Sequence, residues 1–173
     1  MSKKSGFTLV EFVIYFALLA IVITAVVSFM LGFAQARAKT IVVAEVEQNA
    51  RFVLNRVIWS TRQAVQINSA SSTFDSDNGV LALTTLSDPT HPTVFNLNSG
   101  TVFINEGTAA QAPLTTPEVT ATKLRFTRDN TTAGVETVTA VVGMKYNTTN
   151  SADFTFNYAT TATSTAVIRH QTP

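Results

Sequence analysis

The chain has no cysteine, which excludes disulfide bonds and thiolate metal sites. It also has no strong excess of charge, because 12 Lys and Arg residues nearly balance 11 Asp and Glu residues. A nucleic-acid-binding domain usually shows clustered basic residues, since phosphate contacts supply much of its affinity. With 173 residues, the sequence is long enough for one small domain, with or without a membrane anchor.

One long segment lacks charge altogether. From Phe12 to Ala36 there is no Asp, Glu, Lys or Arg, and apolar residues fill most positions. A helix needs roughly 20 apolar residues to cross a hydrocarbon core about 30 Å thick, whereas a signal peptide has a shorter run of about 7–15. We therefore predict a retained membrane-spanning helix over residues 7–36. Lys3 and Lys4 favour a cytoplasmic N-terminus, with the rest of the chain outside the cytoplasm.

The residues after the span keep a helical pattern without Pro or Gly. Apolar residues recur at spacings of three and four, which places them on one helical face: Val43, Val46, Ala50, Val53 and Val57, widened by Leu54 and Ile58. We predict one helix from about Thr8 to about Gln66, with an amphipathic part over residues 37–67. Gly32 is the weak point in its interior, where softening of the helix costs least.

Residues 68–173 are rich in Ser, Thr, Asn and Gly, and their apolar residues alternate, as in strands. We expect one hairpin around Ser99 and Gly100, a second within residues 123–147, and a strand at "DFTFNY". The amphipathic helix would cover the apolar side of this antiparallel sheet, with Trp59 between helix and sheet. The predicted fold class is α+β, with a β-rich head over residues 68–173.

Other candidate sites have simpler interpretations. His91 and His170 lack the acidic partners of a metal site, so we expect solvated histidines. Asp75 and Asp77 in "FDSDNG" do not meet the calcium-loop pattern, so we expect a turn at Asp77 to Gly79. No phosphate loop or catalytic triad motif is present. We predict no metal, no cofactor, no catalytic residue and no enzyme activity. Four arginines of the helix are expected to lie on a solvated face, and a DNA-contacting face is the less favoured alternative: Arg37, Arg51, Arg56 and Arg62.

The N-terminal sequence "KKSGFTLVE" followed by the span resembles the processing motif of type IV pilins and type II secretion pseudopilins. The resemblance implies leader removal after Gly6 by a prepilin peptidase, with residues 1–6 as the leader, and N-methylation of the new terminal Phe7. It also implies a ladle-shaped subunit whose helices pack in a filament core. Later segments are similar to minor pseudopilins of the J class and minor pilins of the W class. A mid-span proline and a C-terminal disulfide, usual in major pilins, are absent.

The resemblance also accounts for Glu11, the acid at the head of the apolar run. A carboxylate deep in a bilayer costs about 3 kcal/mol and needs a partner. The family implies that the amine of a processed Phe7 neutralises Glu11 of a neighbouring subunit and sets the register of assembly. Alternatively, Thr8 and Glu11 form a capping box at the helix N-terminus. The two roles are compatible.

We interpret the chain as a structural, minor subunit of a type IV pilus or type II secretion pseudopilus. The expected partners are other pilins or pseudopilins, the prepilin peptidase, the inner-membrane assembly platform and, before assembly, membrane lipid. The expected location is a single pass in the inner membrane and then the filament. The alternative is a membrane-anchored β domain that acts alone as a binding or adhesion module. Secretion, motility, adhesion and DNA uptake are not separated by these residues.

Overall fold

A long α-helix opens the fold. The computed structural model describes residues 6, 8–85, 90–130, 135–148 and 156–169, without the side chain of residue 169. Helix α1 covers Leu9–Gln63 without a break. The chain divides into two compact units, Met1–Thr40 and Ile41–Pro173, and α1 contributes residues to both.

Within the described residues, eight strands follow α1 and form two sheets in which all neighbouring strands are antiparallel. The first sheet has the order β1-β2-β3-β4-β5, and the second has the order β6-β7-β8. The strands are β1 Ala64–Ile67, β2 Leu81–Thr85, β3 Thr93–Asn98, β4 Thr101–Asn105, β5 Ala112–Pro113, β6 Val119–Asp129, β7 Val135–Tyr146 and β8 Ala159–Arg169. A short 3-10 turn, Ser69–Ser71, follows β1.

The apolar stripe of α1 packs on both sheets in one core. On the helix, the core includes Val46, Ala50, Val53, Leu54 and Val57. The first sheet contributes Ile67, Leu81, Leu83, Phe95, Val102 and Ile104, and the second contributes Leu124, Phe126, Val138, Ala140, Val142, Met144 and Ile168. The helical and alternating patterns of the sequence therefore meet in a common interior, which confirms the predicted α+β class.

Polar contacts join the helix to segments next to the strands. Asn49 is buried, and its Nδ2 donates to the Glu45 carboxylate at 3.0 Å, while its Oδ1 accepts from the backbone N–H of Thr116 at 2.9 Å. The hydroxyl of Tyr158, just before β8, donates to the carboxylate of Glu47 at 3.2 Å. A buried amide needs such partners, so these bonds favour one rotational setting of α1.

The connection between β1 and β2 runs along β6 and joins the two sheets. The N–H groups of Asp75 and Gly79 donate to the carbonyls of Phe126 and Leu124 at 2.9 and 2.7 Å, and the N–H of Leu124 donates to the carbonyl of Asp77 at 2.8 Å. A Cβ added at Gly79 would lie 2.9 Å from the Leu124 carbonyl oxygen, so only glycine fits this approach. The predicted turn includes Asp77, and the left-handed backbone of this connection lies two residues earlier, at Asp75, with φ 57°.

The predicted hairpin at Ser99 and Gly100 is present. Both residues have positive φ, 50° and 78°, which suits a two-residue turn whose twist matches the flanking strands β3 and β4. The second predicted hairpin corresponds to β6 and β7, whose residues pair from Val119 with Tyr146 to Asp129 with Thr137.

Two predicted element boundaries differ from the structure. The helix ends at Gln63, not near Gln66, because Ala64 and Ile67 pair with β2 instead of continuing the helical ladder. The β-rich region therefore starts before residue 68. The predicted strand at "DFTFNY" lies partly outside the described residues, which exclude residues 153–155; Phe156 stands in a turn, and the last described strand is β8.

Trp59 was also predicted wrongly. Its side chain is half exposed instead of lying between helix and sheet, because it projects outside the stripe formed by Leu54, Val57 and Ile58. The guanidinium of Arg56 lies 4.8 Å from the centre of its ring.

The core packing leads to a stability prediction on one strand. Val138→Ala removes two fully buried methyl groups, and we expect a loss of about 1–3 kcal/mol in the free energy of unfolding. Val135→Ala, at a 39% exposed position of the same strand, is the matched control and should cost much less. Denaturant unfolding of the full chain in detergent, followed by near-UV circular dichroism, measures both. Equal losses for the two variants would contradict the described orientation of β7.

Candidate functional site

The N-terminal half of α1 presents an uncovered apolar surface. Every large hydrophobic side chain from Leu9 to Phe33 is at least 49% exposed, and no part of the most apolar 18-residue window is buried. Each such side chain gains about 1.5–3 kcal/mol when it is fully removed from water. By length and composition, α1 is able to cross a membrane, a test that signal sequences also pass. This surface requires a cover of lipid or of other helices.

The polar side chains within this apolar half are satisfied by the helix itself. The hydroxyl of Thr24 donates to the carbonyl of Ala20 at 2.8 Å, and the hydroxyl of Ser28 donates to the carbonyl of Thr24 at 2.8 Å. A hydroxyl bonded in this way does not need water and can enter an apolar environment at low cost. Sequence analysis missed this feature, although its signal is visible in the spacing of four between each donor and acceptor.

Thr8 and Glu11 form the start of the helix. The side-chain oxygen of Thr8 accepts a hydrogen bond from the backbone N–H of Glu11 at 3.3 Å, which is one half of a capping box. Among the residues that the structure describes, no basic side chain pairs with the Glu11 carboxylate. The cap therefore uses the Glu11 backbone and leaves its side chain available.

The remaining predicted site residues lie as follows. Gly6 is exposed, and no atom stands within 4 Å of the position where a Cβ would be. Phe7 lies outside the described residues. Gly32 lies within the continuous helix, where a Cβ would also meet open space. The structure thus brings Thr8 and Glu11 together, whereas Gly32 lies further along the same helix and is not part of this cap.

The first 27 residues match the family described as the prokaryotic N-terminal methylation motif. This N-terminal segment is therefore similar to the N-terminus of type IV pilins and pseudopilins. No curated protein and no solved structure matched it. The matched residues include the helix cap at Thr8 and the first part of the uncovered apolar surface. The long apolar helix and the motif fit a precursor anchored in the inner membrane. Proteins of the pilin family are structural proteins and not enzymes.

Within the described ranges, no three His, Asp or Glu side chains come close enough together to hold a metal ion. His91 contacts Thr90, with 2.9 Å between Nδ1 and the hydroxyl oxygen, and the predicted position of His170 lies outside the described residues. The four arginines considered for DNA include Arg51, which is strongly exposed and pairs with Glu47 at 3.4 Å, as the spacing of four predicts.

Proposed function

We propose that the chain is a minor structural subunit of a type IV pilus or type II secretion pseudopilus, inserted in the inner membrane and then assembled into a helical filament. The observation that carries the proposal is the match of residues 1–27 to the methylation motif at the head of a helix with an uncovered apolar surface. Lipid covers this surface before assembly, and the helices of neighbouring subunits replace the lipid in the filament. The proposed partners are other pilins or pseudopilins, the prepilin peptidase and the assembly platform.

Leader removal between Gly6 and Phe7 is the first proposed step. Gly6 is exposed, and apart from its chain neighbours no atom lies within 4 Å of the position of an added Cβ, which supports access for a prepilin peptidase. Cleavage leaves Phe7 as the new terminus, where N-methylation would keep the amine cationic. Thr8 stays in the mature chain, so the helix cap is compatible with processing.

Pairing between Glu11 and the Phe7 amine of another subunit is the second proposed step. Glu11 is the sole acidic residue between Met1 and Lys39, and its side chain has no basic partner among the described residues. Transfer of this acid into an apolar bundle requires an opposite charge. A cationic terminus four residues earlier in an adjacent subunit supplies one and fixes the axial register.

Processing is tested by the mass of the purified chain. The wild-type protein, expressed with a prepilin peptidase, should lack residues 1–6 and carry one N-terminal methyl group on Phe7. Gly6→Val should keep the leader, because the added side chain obstructs the cleaved bond. Ser5→Ala is the neighbouring control and should be processed normally. A wild-type chain that retains residues 1–6 would refute the proposed processing.

The pairing is tested by assembly of Glu11 variants. Glu11→Val should insert in the membrane normally, yet its recovery in sheared filaments should fall at least about tenfold, as expected for an unpaired buried charge worth more than about 1.4 kcal/mol. Thr8→Ala removes the cap, at a cost of about 1 kcal/mol, but keeps the acid, so it should still assemble. If Thr8→Ala fails and Glu11→Val assembles, capping and not pairing is the role of this segment.

Softening at Gly32 is tested by moving the glycine. Gly32→Ala fits without a clash and should stiffen the helix by up to about 1 kcal/mol. We expect normal membrane insertion and a severalfold loss of filament incorporation, measured as for Glu11. The double variant Gly32→Ala with Ala34→Gly places a glycine two residues later and should restore incorporation. Full assembly of the single variant would show that softening at this position has no role.

A further inference from the structure

A cavity of about 350 Å³ lies beside the C-terminal end of α1 within the unit that contains the sheets. Its walls include Trp59 and Gln63 from the helix, Thr93 at the start of β3, and residues 106–108 after β4. This volume is at the lower end of the range of ligand pockets, about 300–1,000 Å³. It is separate from the N-terminal segment on which the filament proposal rests.

An aromatic ring is held in place at this cavity. Trp59 lines it and is half exposed, although a large aromatic side chain loses free energy by standing in water. The guanidinium of Arg56 lies 4.8 Å from the ring centre and also pairs with the carboxylate of Glu106 in the cavity wall. Arg56 stacked over the ring, itself held by Glu106, restricts the motion of the Trp59 side chain. The ring is therefore a preformed apolar platform.

The other wall groups are mainly neutral donors and acceptors. They are the hydroxyls of Ser60, Thr85, Thr93 and Thr108, the amide of Gln63 and the ring of His91. Ser60 Oγ is buried and has no hydrogen-bond partner among the described residues, so a small rotation toward a ligand hydroxyl would give it one. No described wall residue is Lys or Arg, and the one acidic group, Glu106, is already paired. An anionic ligand would meet a carboxylate without a free cation.

We propose that this cavity binds a neutral saccharide of one or two rings. A sugar ring has an apolar face of C–H groups, which matches the surface of Trp59, and an edge of hydroxyls, which matches the hydroxyl and amide groups of the wall. The same combination excludes a purely apolar ligand, which would leave these polar groups unpaired. The filament subunit would then carry a glycan-binding site on its head, whether or not the assembly chemistry at Glu11 is correct.

Trp59 is the single tryptophan of the chain, so its fluorescence reports directly on this cavity. The full chain is held in micelles of a detergent without a sugar headgroup and titrated with glucose, galactose, N-acetylglucosamine and cellobiose. We expect a saturable change in Trp59 emission with at least one of these sugars, at millimolar affinity. No saturable change with any of the four would overturn the proposal.

Two glutamines of α1 provide a matched pair. Gln63→Ala removes a wall donor and should weaken binding by about three- to tenfold, the value of one hydrogen bond. Gln48→Ala changes an exposed glutamine of the same helix outside the cavity and should leave the affinity unchanged. Both positions are exposed, so the fold should persist, which circular dichroism verifies. Equal affinities for the two variants would contradict binding in this cavity.

Calorimetry tests the aromatic platform without relying on fluorescence. Trp59→Ala should abolish the heat of binding of the sugar found in the titration, whereas Phe52→Ala should preserve it, because Phe52 is a similarly exposed aromatic residue of α1 that does not line the cavity. Unchanged binding by Trp59→Ala would overturn the proposal.

Discussion

Removal of apolar surface from water is the constraint on which the whole chain depends. Helix α1 meets it in two ways. Around Val53 the helix has a narrow apolar stripe, and two sheets cover it so completely that the side chain has no exposed surface. Around Leu18 the helix is apolar on all sides, and none of the described residues covers it. The first arrangement stabilises a domain, whereas the second stabilises the protein only in contact with lipid or with other helices.

The polar groups show the same division. In the domain, the buried side chain of Asn49 finds a partner far away in sequence, the backbone N–H of Thr116. In the uncovered half, Thr24 and Ser28 bond only to the preceding turn of their own helix. Long-range partners specify one tertiary arrangement, while local partners leave a helix free to change its surroundings without leaving a polar group unpaired. Glu11 is the exception, since its carboxylate has no basic partner within the described part of the chain.

Much of this fold could be predicted because its main signals are periodic. The stripe through Val46 and Val57 and the alternation from Val138 to Met144 were both read correctly, and the turn at Ser99 was located by its chemistry. Strand β8 was missed because its Thr and Ala residues alternate weakly in hydropathy, and its pairing with β7 is visible only in three dimensions.

The sites were harder to predict from the sequence than the fold. The N-terminal motif is contiguous in sequence, so Gly6 and Glu11 could be selected without coordinates. The cavity at Trp59 combines residues separated by almost fifty positions, such as Trp59 and Glu106, and no local pattern joins them. A lone tryptophan beside an apolar stripe suggested core packing, and only the geometry placed it at a surface hollow.

The connection between β1 and β2 has a consequence for how the head unfolds. Its backbone bonds to Leu124 and Phe126 occupy an edge of the second sheet while its two ends belong to the first. Unfolding of either sheet would break these hydrogen bonds and expose the core-facing side of the other sheet. We therefore expect the head to unfold as one cooperative unit. Partial unfolding, which would expose an unpaired strand edge to neighbouring molecules at high local concentration, is disfavoured.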